Sequence, residues 1–282
     1  MAIVLALCSA LAYGLSDFVG GLVSRRTSAW SVAVVAQVSA AICTGAVALF
    51  FSGEPEPGDY LWGTFAGVAS GVGACFLYRG LSTGRMSVVA PVSAVGAALV
   101  PIAVGVLTGE RPSFVVWLGV VLALPAIWLV SKAAEDRDAA PDGHEPGSSG
   151  LVDGALAGLG FGLLFAALGQ IPDSAGFAPL TLAQAVSVPA SIALATVFRE
   201  SWLPRDRVVW LALAAGPLGA AAALAFLLAT QQGFLTVAGV LASLYPATTV
   251  LLAALVLHER IRRAQGIGLA LCALAIGLVA GG

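Results

Sequence analysis

The 282 residues are 59% hydrophobic and only 10% charged. Soluble domains carry about 25% charged residues, so a chain this apolar cannot keep its surface in water. The net charge of −2 also gives no basis for binding nucleic acid. These values exclude an ordinary soluble domain and predict an integral membrane protein.

Ten apolar segments are long enough to cross the hydrocarbon core of a bilayer, which takes about 20 helical residues. The first of them lacks the basic region of a cleaved signal, so we expect it to be retained as a helix. The predicted spans are 2–23, 30–51, 60–79, 86–107, 113–131, 151–170, 177–198, 208–229, 234–257 and 264–281. The predicted fold class is therefore an all-α polytopic membrane protein with ten transmembrane helices.

One polar segment separates these spans into two sets of five. Residues 132–149 are rich in Gly, Pro and acidic side chains, a composition typical of a solvated linker. The predicted organisation is a first five-helix repeat over 1–131, a cytoplasmic linker over 132–149, and a second five-helix repeat over 150–282.

The basic residues indicate an orientation. Twelve of the thirteen fall at the ends of odd-numbered spans, on one predicted side of the membrane, and only Arg111 falls on the other. Because basic loops stay in the cytoplasm, both termini are expected outside. The single lysine among so many arginines, with abundant Ala, Gly and Val, is typical of a GC-rich bacterial genome and suggests a bacterial inner (cytoplasmic) membrane.

The two halves of the chain resemble each other. Shifting the sequence by 149 residues places Gly67 on Gly216, and the pair Glu110-Arg111 on Glu259-Arg260. Five helices per half is an odd number, so the second half would enter the membrane upside down. Two inverted halves can exchange conformations and open a central site to either side, which favours a secondary transporter.

A glutamate–arginine step follows the fourth helix of each half, as TGER at 108–111 and HER at 258–260. With the segment 239–260 and its central proline, these features resemble the EamA-type drug/metabolite transporters. The resemblance implies a ten-helix carrier with a central cavity, often an exporter of metabolites, amino acids or drugs. It identifies the fold better than the substrate.

Two ionisable side chains lie within predicted spans, Asp17 in the first and Arg79 in the third. Such a residue costs roughly 2.5–3.5 kcal/mol at a helix centre on insertion scales, so it is paired, lines water or is functional. The second half has Phe165 and Leu228 at the matching positions, so the shared fold does not require the charges. Asp17 is the candidate for a cationic group or a coupling proton. Alternatively, Arg79 snorkels to the headgroups and Asp17 is its structural partner.

Other polar and aromatic side chains are candidates for substrate binding or coupling. Helical rise places some at the depth of Asp17, and others flank a proline in the ninth span. Core packing or repair of backbone hydrogen bonds is the alternative for these. They are Tyr13, Gln37, Tyr78, Ser93, Ser243, Tyr245 and Thr248.

Two prolines and two glutamates are predicted to act on helix geometry. Pro91 and Pro246 are hinge candidates because proline removes a backbone hydrogen bond. The first half departs from the second here, with Ala97 at the position that matches Pro246. Glu110 and Glu259 follow the fourth and ninth spans, and we expect them to tie helix ends together, with gating as the alternative.

The sequence favours transport over its rivals. It holds no HExxH, GxSxG or phosphate-binding motif, which disfavours an enzyme. No ring of like charges indicates a channel. The prediction is a secondary transporter, an exporter in preference to an importer, proton-coupled or facilitative; the alternative is a flippase of lipid-linked substrates or its helper subunit. The expected partners are a small-molecule substrate and membrane lipid, with a homodimer left open, and neither a cofactor nor a metal is expected.

Overall fold

A computed structural model describes residues 1–51, 53–82, 86–132, 149–256 and 263–281. Within these ranges all regular structure is helical, as predicted. The α-helices are α1 (Ala2–Ser24), α2 (Ala29–Ala48), α3 (Pro57–Ser82), α4 (Met86–Leu107), α5 (Phe114–Lys132), α6 (Ser149–Leu168), α7 (Ala178–Val197), α8 (Ala215–Gln231), α9 (Leu235–Ala242), α10 (Tyr245–Val256) and α11 (Arg263–Gly281). Two 3-10 segments, Asp173–Ala175 and Arg207–Ala214, precede α7 and α8.

Six of the described helices are long and apolar enough to cross a membrane, judged by length and composition. They are Ala2–Ser24, Ala29–Ala48, Pro57–Ser82, Ala178–Val197, Arg207–Gln231 and Arg263–Gly281. Four shorter apolar helices fall on the remaining predicted spans: Val92–Leu107, Phe114–Leu129, Val152–Leu168 and Leu235–Thr249.

The ninth predicted span, 234–257, contains a turn. Helix α9 ends at Ala242, and α10 begins at Tyr245 after a turn at Ser243 and Leu244. Pro246 is the second residue of α10, where its missing N–H removes no hydrogen bond. Its role as a hinge stays a prediction.

Helices from the two halves interleave. Helix α1 packs on α8, and its repeat counterpart α6 packs on α3. Counterparts also pack on each other, α2 on α7 and α5 on α11. The pattern of contacts is thus nearly unchanged when the two halves are exchanged, and the main core lies between the halves instead of within either.

Glycines let these helices approach closely. A Cβ added to Gly71 of α3 would lie 2.9 Å from the Cβ of Ala190 on α7. A Cβ added to Gly158 of α6 would lie 2.8 Å from the carbonyl oxygen of Ser93 on α4. Small residues at helix contacts serve the same purpose throughout membrane proteins, where close backbone packing replaces hydrophobic burial. Of these helices, α3 and α6 form part of the wall of the cavity described next.

Candidate functional site

A cavity of about 60 Å³ lies between α1, α2, α3, α6 and the start of α8. Ten of its sixteen lining residues are apolar, so the six polar side chains are the groups that can select a ligand. The polar side chains on its wall are Tyr13, Ser16, Asp17, Gln37, Ser70 and Tyr78. Four of these were predicted from the sequence: Tyr13, Asp17, Gln37 and Tyr78.

Asp17 is the acidic group of this cavity. Helix α1 holds it partly buried, and within the described residues its carboxylate makes no hydrogen bond or ion pair. Three tyrosines approach it closely enough for an electrostatic interaction, namely Tyr13, Tyr78 and Tyr245. An acid with phenol rings nearby can accept a proton or the cationic group of a ligand.

Glycines on α1 bring two of those tyrosines to the aspartate. A Cβ added to Gly20 would lie 2.5 Å from the hydroxyl oxygen of Tyr78, and one added to Gly14 would lie 2.8 Å from the carbonyl oxygen of Tyr245. A larger side chain at Gly20 would displace the Tyr78 ring, and one at Gly14 would clash with Thr248 and the Tyr245 backbone of α10. The local sequence of α1 therefore sets how near the tyrosines come to Asp17.

Hydrogen bonds between helices hold the polar wall in place. The amide of Gln37 on α2 donates to the hydroxyl of Ser70 on α3 at 3.3 Å. The hydroxyl of Ser16 donates to the carbonyl oxygen of Ala215 at 3.0 Å. Gln37 and Ser70 therefore orient each other, and both line the cavity. A binding role for Gln37 stays a prediction.

Arg79 does not reach the cavity, and its partner is not Asp17. Its guanidinium forms an ion pair with Asp153 near the start of α6, with Nε 3.1 Å from Oδ1. The Asp153 side chain is 5% exposed and that of Arg79 is 26% exposed. The alternative that paired Asp17 with Arg79 is therefore wrong, because a second acid that sequence reasoning passed over neutralises the arginine.

Three aromatic rings enclose the Arg79 guanidinium. Its Cζ lies 4.6 Å from the ring centre of Phe76, 5.1 Å from that of Phe198 and 5.9 Å from that of Trp30. Trp30 and Phe198 stack with centroids 5.6 Å apart, and Phe76 meets Phe198 edge to face at 5.7 Å. We call Trp30, Phe76 and Phe198 the aromatic box. Each contact of this kind is favourable by about 0.5–2 kcal/mol.

Polar contacts tie the two halves together at the same end of the bundle. The hydroxyl of Ser28, before α2, donates to the carbonyl oxygen of Ser201 at 2.8 Å. The hydroxyl of Thr27 donates to a carboxylate oxygen of Asp206 at 2.9 Å. With the Arg79–Asp153 ion pair, these contacts link the α1–α2 loop and α3 to the second half.

The remaining candidates, which the sequence placed in the ninth span, do not line the cavity. Ser243 donates to the carbonyl oxygen of Gly239 at 2.7 Å, which satisfies a backbone acceptor at the break between α9 and α10. Thr248 packs against Gly14. Tyr245 bonds Ser93, with 2.8 Å between the two hydroxyl oxygens. Tyr245 is thus the member of this group that the fold brings near Asp17.

Glu110 holds the start of α9. Its carboxylate accepts hydrogen bonds from the backbone N–H of Leu235 and, at 2.9 Å, from that of Thr236. An acid at a helix N-terminus satisfies free donors and complements the helix dipole. This geometry fits the structural role expected for Glu110. Glu259 lies outside the described residues, and Pro91 lies within α4.

Sequence reasoning missed Asp153, Ser16, Ser70 and the aromatic box. Asp153 carried the same signal as Asp17, a charge within an apolar span, but lies only two residues after the predicted start of its span. No sequence signal marked Phe198 as a partner of Arg79, because their contact joins helices from different halves.

A sequence model described as the EamA-like transporter family matches residues 1–132 and 148–281. No curated protein gives a match. A solved structure, described only as the crystal structure of a protein, is similar in fold with a TM-score of 0.72. It is 17% identical in sequence, and the similarity covers 98% of this chain and 95% of that one.

Proposed function

Because this chain belongs to the EamA-like transporter family and is a multi-pass membrane transporter, we propose that it is a secondary transporter in a bacterial inner membrane. It moves a small metabolite or drug-like solute by alternating access between the two sides. The transported solute is held at the cavity around Asp17. Both termini lie outside, and the segment between the two repeats lies in the cytoplasm.

The proposed topology is ten transmembrane helices in two inverted repeats. It is supported by the packing of α1 on α8 and of α6 on α3, which are equivalent when the halves are exchanged. Alternating access follows from this arrangement, because each half can adopt the shape of the other and so close one side while opening the other.

The observation that carries the proposal is the position of Asp17. Asp17 lines a cavity between the halves together with Tyr13 and Tyr78, and it forms no ion pair among the described residues. An ionised carboxylate within a membrane span costs free energy unless a cationic group or a proton neutralises its charge. We propose that a cationic or zwitterionic solute binds there, or that a proton does so during coupled transport.

The cavity limits what this conformation can hold. A volume of about 60 Å³ is far below the roughly 300–1,000 Å³ of sites that hold drug-sized ligands. A small solute or a few waters therefore fit the present shape, and a larger solute requires the halves to move apart. Export, either coupled to protons or facilitative, is the proposed direction, in keeping with many members of the family.

A ligand screen tests this proposal. Purified full-length protein is melted in the presence of amino acids, nucleosides, quaternary amines and lipid headgroups, and a ligand that binds the folded state raises the melting temperature. We expect a hit among the cationic or zwitterionic solutes. A hit confined to lipid headgroups would contradict the proposal and favour a flippase of lipid-linked substrates.

A further inference from the structure

The Arg79–Asp153 pair has no counterpart in the other half of the protein. The positions that match Arg79 and Asp153 carry Leu228 and Leu5, at offsets of 149 and 148 residues. The α3–α6 contact is therefore ionic and the equivalent α8–α1 contact is apolar at those positions. Leucines at the matching positions are compatible with the same helix contact, so the fold alone does not explain the two charges.

The surroundings of Arg79 are those of a cation-binding site. Asp153 supplies one negative charge that is almost wholly buried, and the aromatic box supplies three ring faces within 6 Å of the guanidinium carbon. An acid beside aromatic faces is how proteins recognise guanidinium and quaternary ammonium groups. Arg79 is the cation that fills this site in the present conformation.

We propose that the aromatic box and Asp153 form a second binding site, for organic monocations of guanidinium or quaternary ammonium type, which Arg79 occupies when no solute is present. An incoming cation replaces Arg79 on Asp153. This releases the contact between α3 and α6 at the end of the bundle that we propose faces the cytoplasm. The inference rests on the proposed transport function and names the class of solute that this end admits.

The geometry permits the exchange. Arg79 is 26% exposed and Phe198 is 44% exposed, so the box is open on one side and leaves room for the arginine to move out. Trp30 and Phe76 are buried and remain to receive the new cation. Tyr78 lines the cavity around Asp17 and precedes Arg79 in α3, so neighbouring residues of one helix belong to the two sites.

Binding of butylguanidinium to the purified full chain tests the site, with the neutral, similarly shaped butylurea as the control ligand. We expect Arg79→Ala to bind butylguanidinium at least tenfold more tightly than the wild type does, because the competing side chain is gone. The ligand should also raise the melting temperature of this variant more than that of the wild type. Butylurea should do neither.

Three further variants locate the binding. In the Arg79→Ala background, Asp153→Asn should abolish the gain in affinity for butylguanidinium, and Phe198→Leu should reduce the affinity roughly two- to thirtyfold, the range for one cation–π contact from exposed to desolvated. Gly277→Ala, whose added Cβ meets nothing within 4 Å, should leave the gain unchanged. The Arg79→Ala comparison needs no other variant, so the test remains decisive if Asp153→Asn does not fold.

Two results would overturn the proposal. If Arg79→Ala binds no more tightly than the wild type, Arg79 does not occupy a ligand site. If binding disappears in Asp17→Asn but survives in Asp153→Asn, the cation binds only in the cavity. The second result would leave the proposed transport function standing and reduce the Arg79–Asp153 pair to a structural contact.

Discussion

The hydroxyl oxygens of Ser93 and Tyr245 lie 2.8 Å apart and join α4 to the first residue of α10. Both side chains are buried, so neither finds water easily if its partner is lost. Tyr245→Phe should lower the free energy of unfolding by about 1–3 kcal/mol, because it leaves a buried hydroxyl with one partner fewer. Chemical denaturation in detergent measures this loss.

The double variant distinguishes this hydrogen bond from general packing. Ser93→Ala combined with Tyr245→Phe should destabilise the protein by less than the two single changes added together, since both polar groups are then gone. Strict additivity would show that the two hydroxyls do not stabilise each other.

Glu110 caps α9 through two backbone donors, so Glu110→Ala should destabilise the protein. A lost helix cap costs about 0.5–2 kcal/mol. Arg111→Ala is the matched control, because Arg111 is exposed and, among the described residues, bonds only carbonyl oxygens near its own position. Thermal unfolding should separate the two variants. Equal melting temperatures would contradict the capping role.

Removing one member of the Arg79–Asp153 pair should lower the free energy of unfolding more than removing both. Arg79→Leu leaves a buried carboxylate unpaired, a change that costs about 3–5 kcal/mol. The double variant Arg79→Leu/Asp153→Leu reproduces the leucines of the other half and should recover much of that loss. Comparison of their unfolding midpoints checks this. A double variant less stable than Arg79→Leu would refute the proposed equivalence of the two contacts.

Gly20→Ala should displace Tyr78 from its place in the cavity wall, whereas the control substitution Gly277→Ala should not. The added methyl group would lie 2.5 Å from the Tyr78 hydroxyl, so the ring must leave its place beside α1. The melting temperature and any Asp17-dependent ligand binding should both fall. Gly277→Ala is the control, since a Cβ there meets nothing within 4 Å. Equal effects of the two changes would show that Tyr78 is free to move.

The helices were predictable because an apolar run of about twenty residues has few alternatives in a membrane. The exception is the ninth segment, where the break comes before Pro246. Hydropathy stays high through Ser243 and Leu244, so only the backbone geometry shows that the helix ends and restarts there.

The site was predictable only in part. A charge inside a span stands out by its cost, and that signal found Asp17. The contact partners of such a residue could not be predicted in the same way. Helical rise fixes how far along the membrane normal a residue lies, but it does not fix which helices pack beside it. Arg79 could therefore be placed at the depth of Asp17, although α3 turns it toward Asp153 on α6.

The central claim is that Asp17 binds the transported solute or a coupling proton, and transport in proteoliposomes tests it most directly. With a solute identified by the ligand screen, flux is measured for the wild type, Asp17→Asn and Asp17→Glu, with and without an imposed proton gradient. We predict that Asp17→Asn abolishes flux or its response to the gradient, and that Asp17→Glu retains part of it. Unchanged flux and an unchanged gradient response in Asp17→Asn would contradict the account.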